Sequence, residues 1–314
     1  MDSPQAISRI AIIGFGEVGG IFGTDFAGQG IEVSVFDILL ASESHRQQML
    51  AKSRSCGVKA EDSLRDCLRD ADLVISAVTA SAALEVAQEA GPILDRQQMF
   101  LDINSVSPET KRKASAWVES SSGNGGGRFV EAAVMAAVPG KRLTVPMLLG
   151  GMHATSASDS LRSIGMNATA LSAQIGVASA VKMCRSVLIK GLEALTVECL
   201  FAARRYGAED AVLESLASTY PGMGWEDQLP DYLISRVARH GQRRAAELRE
   251  VAQTLHEVAV EPTMAIAAAH CQERLACQLA ESNFPAQSAD QFSWRLLADL
   301  LARESLILPQ SKTR

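Results

Sequence analysis

Short apolar runs alternate with longer amphipathic stretches through the first half of the chain. Ile10 to Ile13 and Leu73 to Val78 are rich in β-branched residues, which is typical of strands buried on both faces of a parallel sheet. Stretches of helical length separate such runs, as crossover helices would. The pattern predicts strands over residues 10–13, 32–36, 73–78, 99–103, 129–134 and 145–150, with helices near 41–53, 62–69, 81–90 and 108–119.

The second half has little strand signal from about residue 176 onward. Apolar positions recur there at intervals of three, four and seven residues, the spacing of one face of a single long helix. They are Val181, Leu188, Leu192, Leu195, Cys199, Ala202 and Tyr206. Further helices are predicted near 208–219, 228–258, 262–279 and 289–305. We therefore expect an α/β protein with a doubly wound sheet domain over residues 1–174 and an all-helical domain over residues 175–314.

The clearest chemical signal follows the first predicted strand directly. The six residues there are Gly14, Phe15, Gly16, Glu17, Val18 and Gly19. In a strand–turn–helix unit the first glycine permits a tight turn, the second lets the backbone approach a pyrophosphate, and the third lets helix pack on strand. The helix N-terminus then offers N–H groups and a positive dipole to the phosphates. The motif predicts a Rossmann-type dinucleotide site; the alternative is a glycine turn in an α/β fold without nucleotide.

Asp37 ends the second predicted strand, where a carboxylate can accept hydrogen bonds from a ribose diol. Its charge would repel a 2′-phosphate, and the next residue, Ile38, supplies no arginine to bind one. Arg46 is the nearest arginine that could reach over. The sequence therefore favours NAD as cofactor and leaves NADP possible.

Composition narrows the functional class further. A formal net charge of −6 argues against a general nucleic-acid or anionic-membrane binder. No apolar run reaches transmembrane length, and the six cysteines include no Cys-x-x-Cys spacing. The five histidines show no metal-ligand spacing, so no metal is expected. We expect a reduced, cytoplasmic protein that acts on a small molecule and binds neither nucleic acid nor membrane.

Polar and small residues follow several predicted strands. Doubly wound sheets bind ligands beyond the carboxyl ends of their strands, so these segments are candidates for the cofactor and substrate site. They are Ala77, Val78 and Thr79, then Asn104 and Ser105, then Met135, Ala136 and Ala137. Asn104 and Ser105 suit contacts with a nicotinamide amide or substrate; the equally weighted alternative is that they cap the helix starting near Pro108.

Lys182 lies one turn into the long predicted helix, with Arg185 and Ser186 on the same face. A lysine beside a cofactor can exchange a proton with an alcohol or carbonyl oxygen. Taken alone, a helical lysine is more often a solvated surface residue. The residues themselves leave both interpretations open.

Several segments together resemble the β-hydroxyacid dehydrogenase superfamily, which includes 3-hydroxyisobutyrate and 6-phosphogluconate dehydrogenases. The glycine motif matches, residues 101–108 resemble the family segment D-x-S-T-x-x-P, and residues 131–137 resemble D-A-P-V-S-G-G. Residues 176–182 resemble G-x-G-x-x-x-K, which implies that Lys182 is the catalytic lysine. The resemblance covers nearly the whole chain.

The departures from the family pattern concern the substrate. Met135-Ala136-Ala137 stands where the family has Ser-Gly-Gly, and Arg185 and Ser186 replace its paired asparagines. The chain thus resembles a subgroup with a variant, phosphogluconate-dehydrogenase-like C-terminal domain. Arg185 would suit a carboxylate or phosphate. His240, Arg243 and Arg244 could also reach an anionic substrate, or could simply form a solvated helical face.

The sequence therefore predicts an NAD(P)-dependent oxidoreductase that transfers a hydride between nicotinamide and an alcohol or carbonyl carbon, with Lys182 as general acid and base. Two alternatives stay open: an imine reductase, and an NAD(P)-sensing protein without turnover. The long apolar stripe in the second half also predicts a homodimer through the helical domain.

Overall fold

The computed structural model describes residues 6–120, 126–282 and 292–307 and divides the chain into two compact units. The first unit is Met1–Met183 and the second is Cys184–Arg314. The division falls inside one long helix, whereas the predicted domain boundary after residue 174 lies just before that helix. Within the described residues, all strands lie in the first unit and the second is helical. This confirms the predicted α/β class with a helical C-terminal domain.

In the described part of the first unit, eight strands form one sheet in the order β3-β2-β1-β4-β5-β6-β7-β8. They are β1 (Arg9–Ile13), β2 (Glu32–Phe36), β3 (Lys59–Ala60), β4 (Leu73–Ser76), β5 (Met99–Asp102), β6 (Arg128–Val134), β7 (Met147–Gly150) and β8 (Ala168–Ser172). Strands β1 to β6 are parallel, and β7 is antiparallel to β6. The order reverses between β1 and β4, and doubly wound sheets bind their ligands at such a point.

Helices cover both faces of this sheet. They are α1 (Glu17–Gly28), α2 (Glu43–Cys56), α3 (Leu64–Leu68), α4 (Ala83–Ala90), α5 (Pro108–Glu119) and α6 (Ala154–Ser163). Alternate residues of β1 belong to separate hydrophobic clusters, with Ile10 and Ile12 in one and Ala11 and Ile13 in the other. Because this strand is buried on both sides, its apolar run needs no polar position.

Three elements of the first unit were not predicted: β3, α6 and β8. Strand β3 has only two residues, too short to show a period. Helix α6 reads ATSASDSLRS, and serines occupy part of its buried face. The Ser158 hydroxyl is satisfied there by the Ala168 carbonyl oxygen at 2.9 Å, so a polar sequence can face the core. The sequence also predicts a loop over the Ser/Gly-rich residues 120–127, and most of these lie outside the described residues.

The second unit is built from helices in its described part. Helix α7 (Val177–Tyr206) begins in the first unit and has 30 residues; it is followed by α8 (Glu209–Thr219), α9 (Leu229–Glu257), α10 (Thr263–Glu281) and α11 (Trp294–Ile307). Helices α9 and α10 approach closely at Gly241, where a Cβ atom would lie 2.6 Å from the Gln272 carbonyl oxygen. In the part of the chain that is described, no helix is both long and apolar enough to cross a membrane.

The apolar stripe predicted on α7 is present and lies at the surface of the chain. Leu188, Leu195 and Tyr206 are exposed, with 73%, 52% and 89% of their surface accessible. Helix α7 packs within its unit through a different face, which includes Val197 and Leu200. An apolar face of this length, uncovered within the described residues, is typical of a surface that binds another protein.

Candidate functional site

The turn after β1 is built around its glycines. Gly14 has φ +91°, and a Cβ atom there would lie 2.5 Å from the Ala77 carbonyl oxygen. A Cβ atom at Gly19 would lie 2.1 Å from the Gly14 carbonyl oxygen. At Gly16, by contrast, a Cβ atom would meet nothing within 4 Å. Packing within the chain therefore explains the first and third glycines but not the second, whose bare backbone suits the close approach of a ligand.

Helix α1 starts directly behind this turn, with Glu17 and Val18 in its first turn. Gly16 is its N-cap residue, so no N-cap side chain accepts a hydrogen bond from the first turn of the helix. The first N–H groups of a helix lack intrahelical partners and sit at the positive end of its dipole. This arrangement fits the pyrophosphate of a dinucleotide.

Asp37 connects the end of β2 to the same turn. Its Oδ2 accepts a hydrogen bond from the Phe15 N–H at 2.7 Å, and its Oδ1 accepts one from the Leu39 N–H at 2.9 Å. Ile38 beside it is exposed. Arg46 does not approach this carboxylate through any described contact; it donates to Asp62 Oδ1 at 2.7 Å and to the Leu40 carbonyl oxygen at 2.8 Å.

Asn104 follows β5 and is buried, with both ends of its side-chain amide bonded inside the unit. Its Oδ1 accepts from the Val78 N–H at 2.8 Å, and its Nδ2 donates to Ser76 Oγ at 2.8 Å. It therefore joins the carboxyl ends of β4 and β5. The cap of α5 is instead Ser107, whose hydroxyl accepts from the Thr110 N–H.

Ser105 and Lys182 meet at this edge of the sheet, although 77 residues separate them. Lys182 Nζ donates to Ser105 Oγ at 2.5 Å, and both residues are half-buried. The contact lies within the first unit. It places the Lys182 amine next to the loop that follows β5, and Asn104 joins that loop to the one after β4. Ala77, Val78 and Thr79 form the loop after β4, as predicted from the strand pattern.

A buried ion pair supports the turn that carries Ser105. Lys111 of α5 lies 3.0 Å from Asp102 Oδ1 and also donates to the Asp102 carbonyl oxygen at 2.8 Å. Both side chains are 1% exposed. The same Oδ1 accepts the Asn104 N–H at 2.9 Å, so the chain direction after β5 is fixed by a charged group. The sequence analysis did not identify this pair.

A second buried carboxylate holds the first turn of α7. Glu131 of β6 is fully buried; its Oε1 accepts from the N–H groups of Gly176 at 2.7 Å and Ala178 at 3.1 Å, and its Oε2 accepts from the Ser179 hydroxyl at 2.9 Å. These bonds satisfy N–H groups that the helix itself leaves without partners. Glu131 thereby fixes the turn that precedes Lys182.

Gly150 on β7 makes room for this carboxylate. It pairs with Glu131 across the antiparallel β6–β7 ladder. A Cβ atom at Gly150 would lie 2.2 Å from Glu131 Oε1, so the glycine is required by contact with the acid.

The segment after β6 is the third predicted strand end. Met135 is half-buried and its N–H donates to the Pro146 carbonyl oxygen at 2.9 Å, while Ala136 and Ala137 are exposed. None of these three side chains can donate a hydrogen bond. Ser105, by contrast, has a hydroxyl, and that hydroxyl contacts Lys182.

The remaining candidates lie in the second unit and differ in their surroundings. Arg244 is buried and forms a bidentate ion pair with buried Glu193, with its Nε 2.8 Å from Oε2. Arg243 is exposed and pairs with Glu247 at 2.8 Å. Arg185 is exposed and forms no ion pair within the described chain.

Ser186 and His240 are the other two candidates of the second unit. Ser186 is buried, and its Oγ accepts from Lys190 Nζ at 3.2 Å. Burial lowers the pKa of His240, and neighbouring arginines, Arg236 first among them, lower it further. A neutral imidazole therefore dominates at neutral pH, which suits a hydrogen bond better than an ion pair.

Comparisons with known proteins agree with the geometry of the first unit. Residues 9–171 match the family model described as the NAD binding domain of 6-phosphogluconate dehydrogenase. Residues 203–275 match a domain of unknown function, DUF1932. The chain therefore belongs to the β-hydroxyacid dehydrogenase superfamily, with a DUF1932 C-terminal domain, and its first unit is an NAD(P)-binding domain.

Individual relatives extend the likeness over both units. The crystal structure of a conserved hypothetical protein from Sinorhizobium meliloti 1021 matches this chain with a TM-score of 0.77 and a sequence identity of 34%. The match covers 96% of this chain and 97% of that one. The 3-hydroxyisobutyrate dehydrogenase of Pseudomonas aeruginosa is 26% identical over 231 residues, 70% of this chain and 72% of the relative. An imine reductase from Bacillus cereus shares the fold at 17% identity, with a TM-score of 0.56, over 85% of this chain and 92% of that one.

Proposed function

We propose that the protein is an NAD(P)-dependent oxidoreductase that interconverts an alcohol and a carbonyl group on a small, anionic, hydroxyacid-like substrate. The observation that carries the proposal is the contact between Lys182 Nζ and Ser105 Oγ, next to strand ends that belong to a dinucleotide-binding sheet. A general acid or base must lie within hydrogen-bond reach of the atom it serves. A hydroxyl in contact with the lysine marks where an oxygen atom of a substrate could be held.

The bound cofactor would supply the hydride acceptor or donor. The chain would hold its pyrophosphate at Gly16 and the start of α1, and its adenosine ribose near Asp37. In the oxidation direction, Lys182 Nζ would accept the hydroxyl proton of the substrate, and in the reduction direction it would return that proton. Ser105 would orient the same oxygen through its hydroxyl. Asn104 would act on the cofactor through the loop after β4, because its own amide groups are engaged with Ser76 and Val78.

We propose an anionic substrate on the strength of one cation of the second unit, Arg185. Arg185, one helical turn after Lys182, offers a planar fork of donors without an ion-pair partner in the described chain. His240, as a neutral imidazole, would add a hydrogen bond to the substrate. The proposed substrate site does not include Arg244, since its guanidinium is committed to Glu193. Arg243 would first have to release Glu247.

The proposal is tested with Lys182→Ala. General acid–base catalysis contributes about 10²- to 10⁴-fold, so kcat should fall by that factor, equivalent to roughly 3–5 kcal/mol, while NADH affinity stays nearly unchanged. Lys182→Arg should restore little activity, because a guanidinium cannot accept the proton. Lys113→Ala, which removes an exposed lysine of α5, is the matched control. An alanine variant that keeps more than about a tenth of wild-type kcat would reduce Lys182 to a binding residue.

Reduction of a C=N bond is the second candidate, favoured by the fold shared with the Bacillus cereus imine reductase. A screen of hydroxyacids, oxoacids and cyclic imines that follows NAD(P)H absorbance separates the two reactions. A protein that binds NADH tightly but turns over none of these classes would instead fit the sensing alternative.

We further propose NAD over NADP, and a homodimer through the second unit. Asp37 would repel a 2′-phosphate, and Arg46 is held by Asp62. The exposed stripe of α7 is the surface that a second copy would cover. A cytoplasmic location stays a prediction from the sequence.

A further inference from the structure

Lys52 of α2 reaches the glycine turn from the side of the neighbouring helix. Its Nζ donates to the carbonyl oxygens of Phe15 at 2.5 Å and Gly16 at 2.7 Å, and lies 4.5 Å from the centre of the Phe15 ring. The stem of the lysine passes over Gly20 of α1, where a Cβ atom would lie 3.0 Å from Lys52 Cε. The lysine is therefore bound to the turn along a defined path.

The contacts of Lys52 with two carbonyl oxygens also determine the direction of two N–H groups. In a trans peptide unit the C=O and N–H groups point in opposite directions. The Phe15 carbonyl belongs to the same unit as the Gly16 N–H, and the Gly16 carbonyl to the same unit as the Glu17 N–H. An ammonium that holds both carbonyl oxygens therefore directs both N–H groups away from itself, and its charge polarises them as donors.

Asp37 completes the restraint from the other end of the turn. It accepts the Phe15 N–H at 2.7 Å, so the peptide unit between Gly14 and Phe15 is fixed as well. Two charged side chains of opposite sign thus contact three successive peptide units. The last of these units is also held by the helical hydrogen bond from the Gly20 N–H to the Gly16 carbonyl oxygen at 3.1 Å. Gly16, in the middle, is the glycine whose missing side chain no neighbouring atom of the chain explains.

We propose that Lys52 is a positioning residue for cofactor binding, which orients and polarises the Gly16 and Glu17 N–H groups that receive the pyrophosphate. It acts through the peptide units rather than by direct contact with the phosphates. This role concerns the NAD(P)-binding domain itself and does not depend on which substrate the protein reduces or oxidises.

The test is a binding titration of Lys52→Met, which keeps the stem over Gly20 and removes the ammonium. Since hydrogen bonds to charged groups are each worth about an order of magnitude in an equilibrium constant, affinity for NADH should fall about 10-fold or more. ADP-ribose, which lacks nicotinamide, should lose the same factor. Lys59→Met removes an exposed lysine of the edge strand β3 and should bind both ligands like the wild type.

Salt separates positioning from simple attraction between charges. At about 1 M sodium chloride the screening length falls to ~3 Å, so a loss caused by long-range attraction would vanish. A loss that persists, together with shifted amide resonances of Gly16 and Glu17, supports the proposal. Unchanged NADH affinity in Lys52→Met, or a loss that disappears in salt, overturns it. If the wild type binds neither NADH nor NADPH, both the role of Lys52 and the proposed oxidoreductase function are overturned. Loss of the Lys52 role alone is distinguished by a wild type that binds NADH and a Lys52→Met variant that binds it equally well.

Discussion

Replacing Arg244 with methionine tests whether this residue serves the fold or the substrate. Its guanidinium is 7% exposed and pairs with a Glu193 side chain that is 2% exposed. Without it, Glu193 keeps the Gln272 Nε2 donor at 3.3 Å and the electrostatic attraction of Lys190, but no ion pair in direct contact among the described residues. Removing one partner of a buried ion pair costs about 3–5 kcal/mol, because the other charge stays buried and unpaired.

The same helical unit offers a matched substitution with the opposite expectation. Lys190 is also buried, and burial lowers its pKa, which shows that its charged form is costly to keep inside. Its partner Glu247 retains Arg243 at 2.8 Å when the lysine is removed. Lys190→Met should therefore change the free energy of unfolding by less than about 1 kcal/mol or stabilise the protein.

Thermal and urea unfolding followed by far-ultraviolet circular dichroism measure both variants. A loss of about 4 kcal/mol in a unit of this size corresponds to a Tm lower by roughly 15 °C for Arg244→Met. For the proposed oxidoreductase activity, the Michaelis constant of the remaining folded protein should change little. If Arg244→Met unfolds like the wild type but binds substrate poorly, the guanidinium faces the substrate and the structural interpretation is wrong.

The buried Glu131, the Asp37 carboxylate and the exposed apolar stripe of α7 can each be tested by substitution. Glu131→Gln should lower the free energy of unfolding by about 2 kcal/mol and reduce kcat, while NADH affinity stays unchanged. The control, Glu119→Gln at an exposed position, should change neither the stability nor kcat. Equal stability of the two variants would contradict the role of the Glu131 charge. Wild-type protein should bind NADH more tightly than NADPH, and Asp37→Ser should narrow the difference; a wild-type preference for NADPH would contradict the role of Asp37. Light scattering should report a dimer that Leu188→Glu with Leu195→Glu dissociates, and a monomeric wild type at micromolar concentration would refute the dimer.

Local patterns were sufficient to predict six of the eight strands of the described sheet, together with the glycine turn after the first of them. The run Ile10 to Ile13 is apolar because both faces of β1 are covered, and that condition leaves a mark in consecutive residues. The glycine turn is equally local, since strand, turn and helix follow one another without a gap. Helix α5 was predicted to begin at Pro108, and the structure starts it there because a proline suits the first helical turn.

Contacts between distant residues could not be predicted in the same way. Arg243 and Arg244 are adjacent, yet one is exposed and the other is buried against Glu193, 51 residues earlier. Lys52 resembles any solvated helical lysine until the turn 36 residues before it is brought alongside. Helical spacing defines a face but not its partner, so the roles of these cations depend on tertiary packing.

The contact between Glu131 and Gly150 ties two positions of the chain together over evolutionary time. Neither can change alone without cost: a side chain at 150 would occupy the space of the carboxylate, and loss of the carboxylate would leave the start of α7 without acceptors. A substitution at one position is therefore expected only together with a matching substitution at the other, for instance a shorter acid at 131 with a small side chain at 150. Related sequences should therefore vary at these two positions together. The first turn of α7, which precedes Lys182, would then be conserved together with the paired strands β6 and β7.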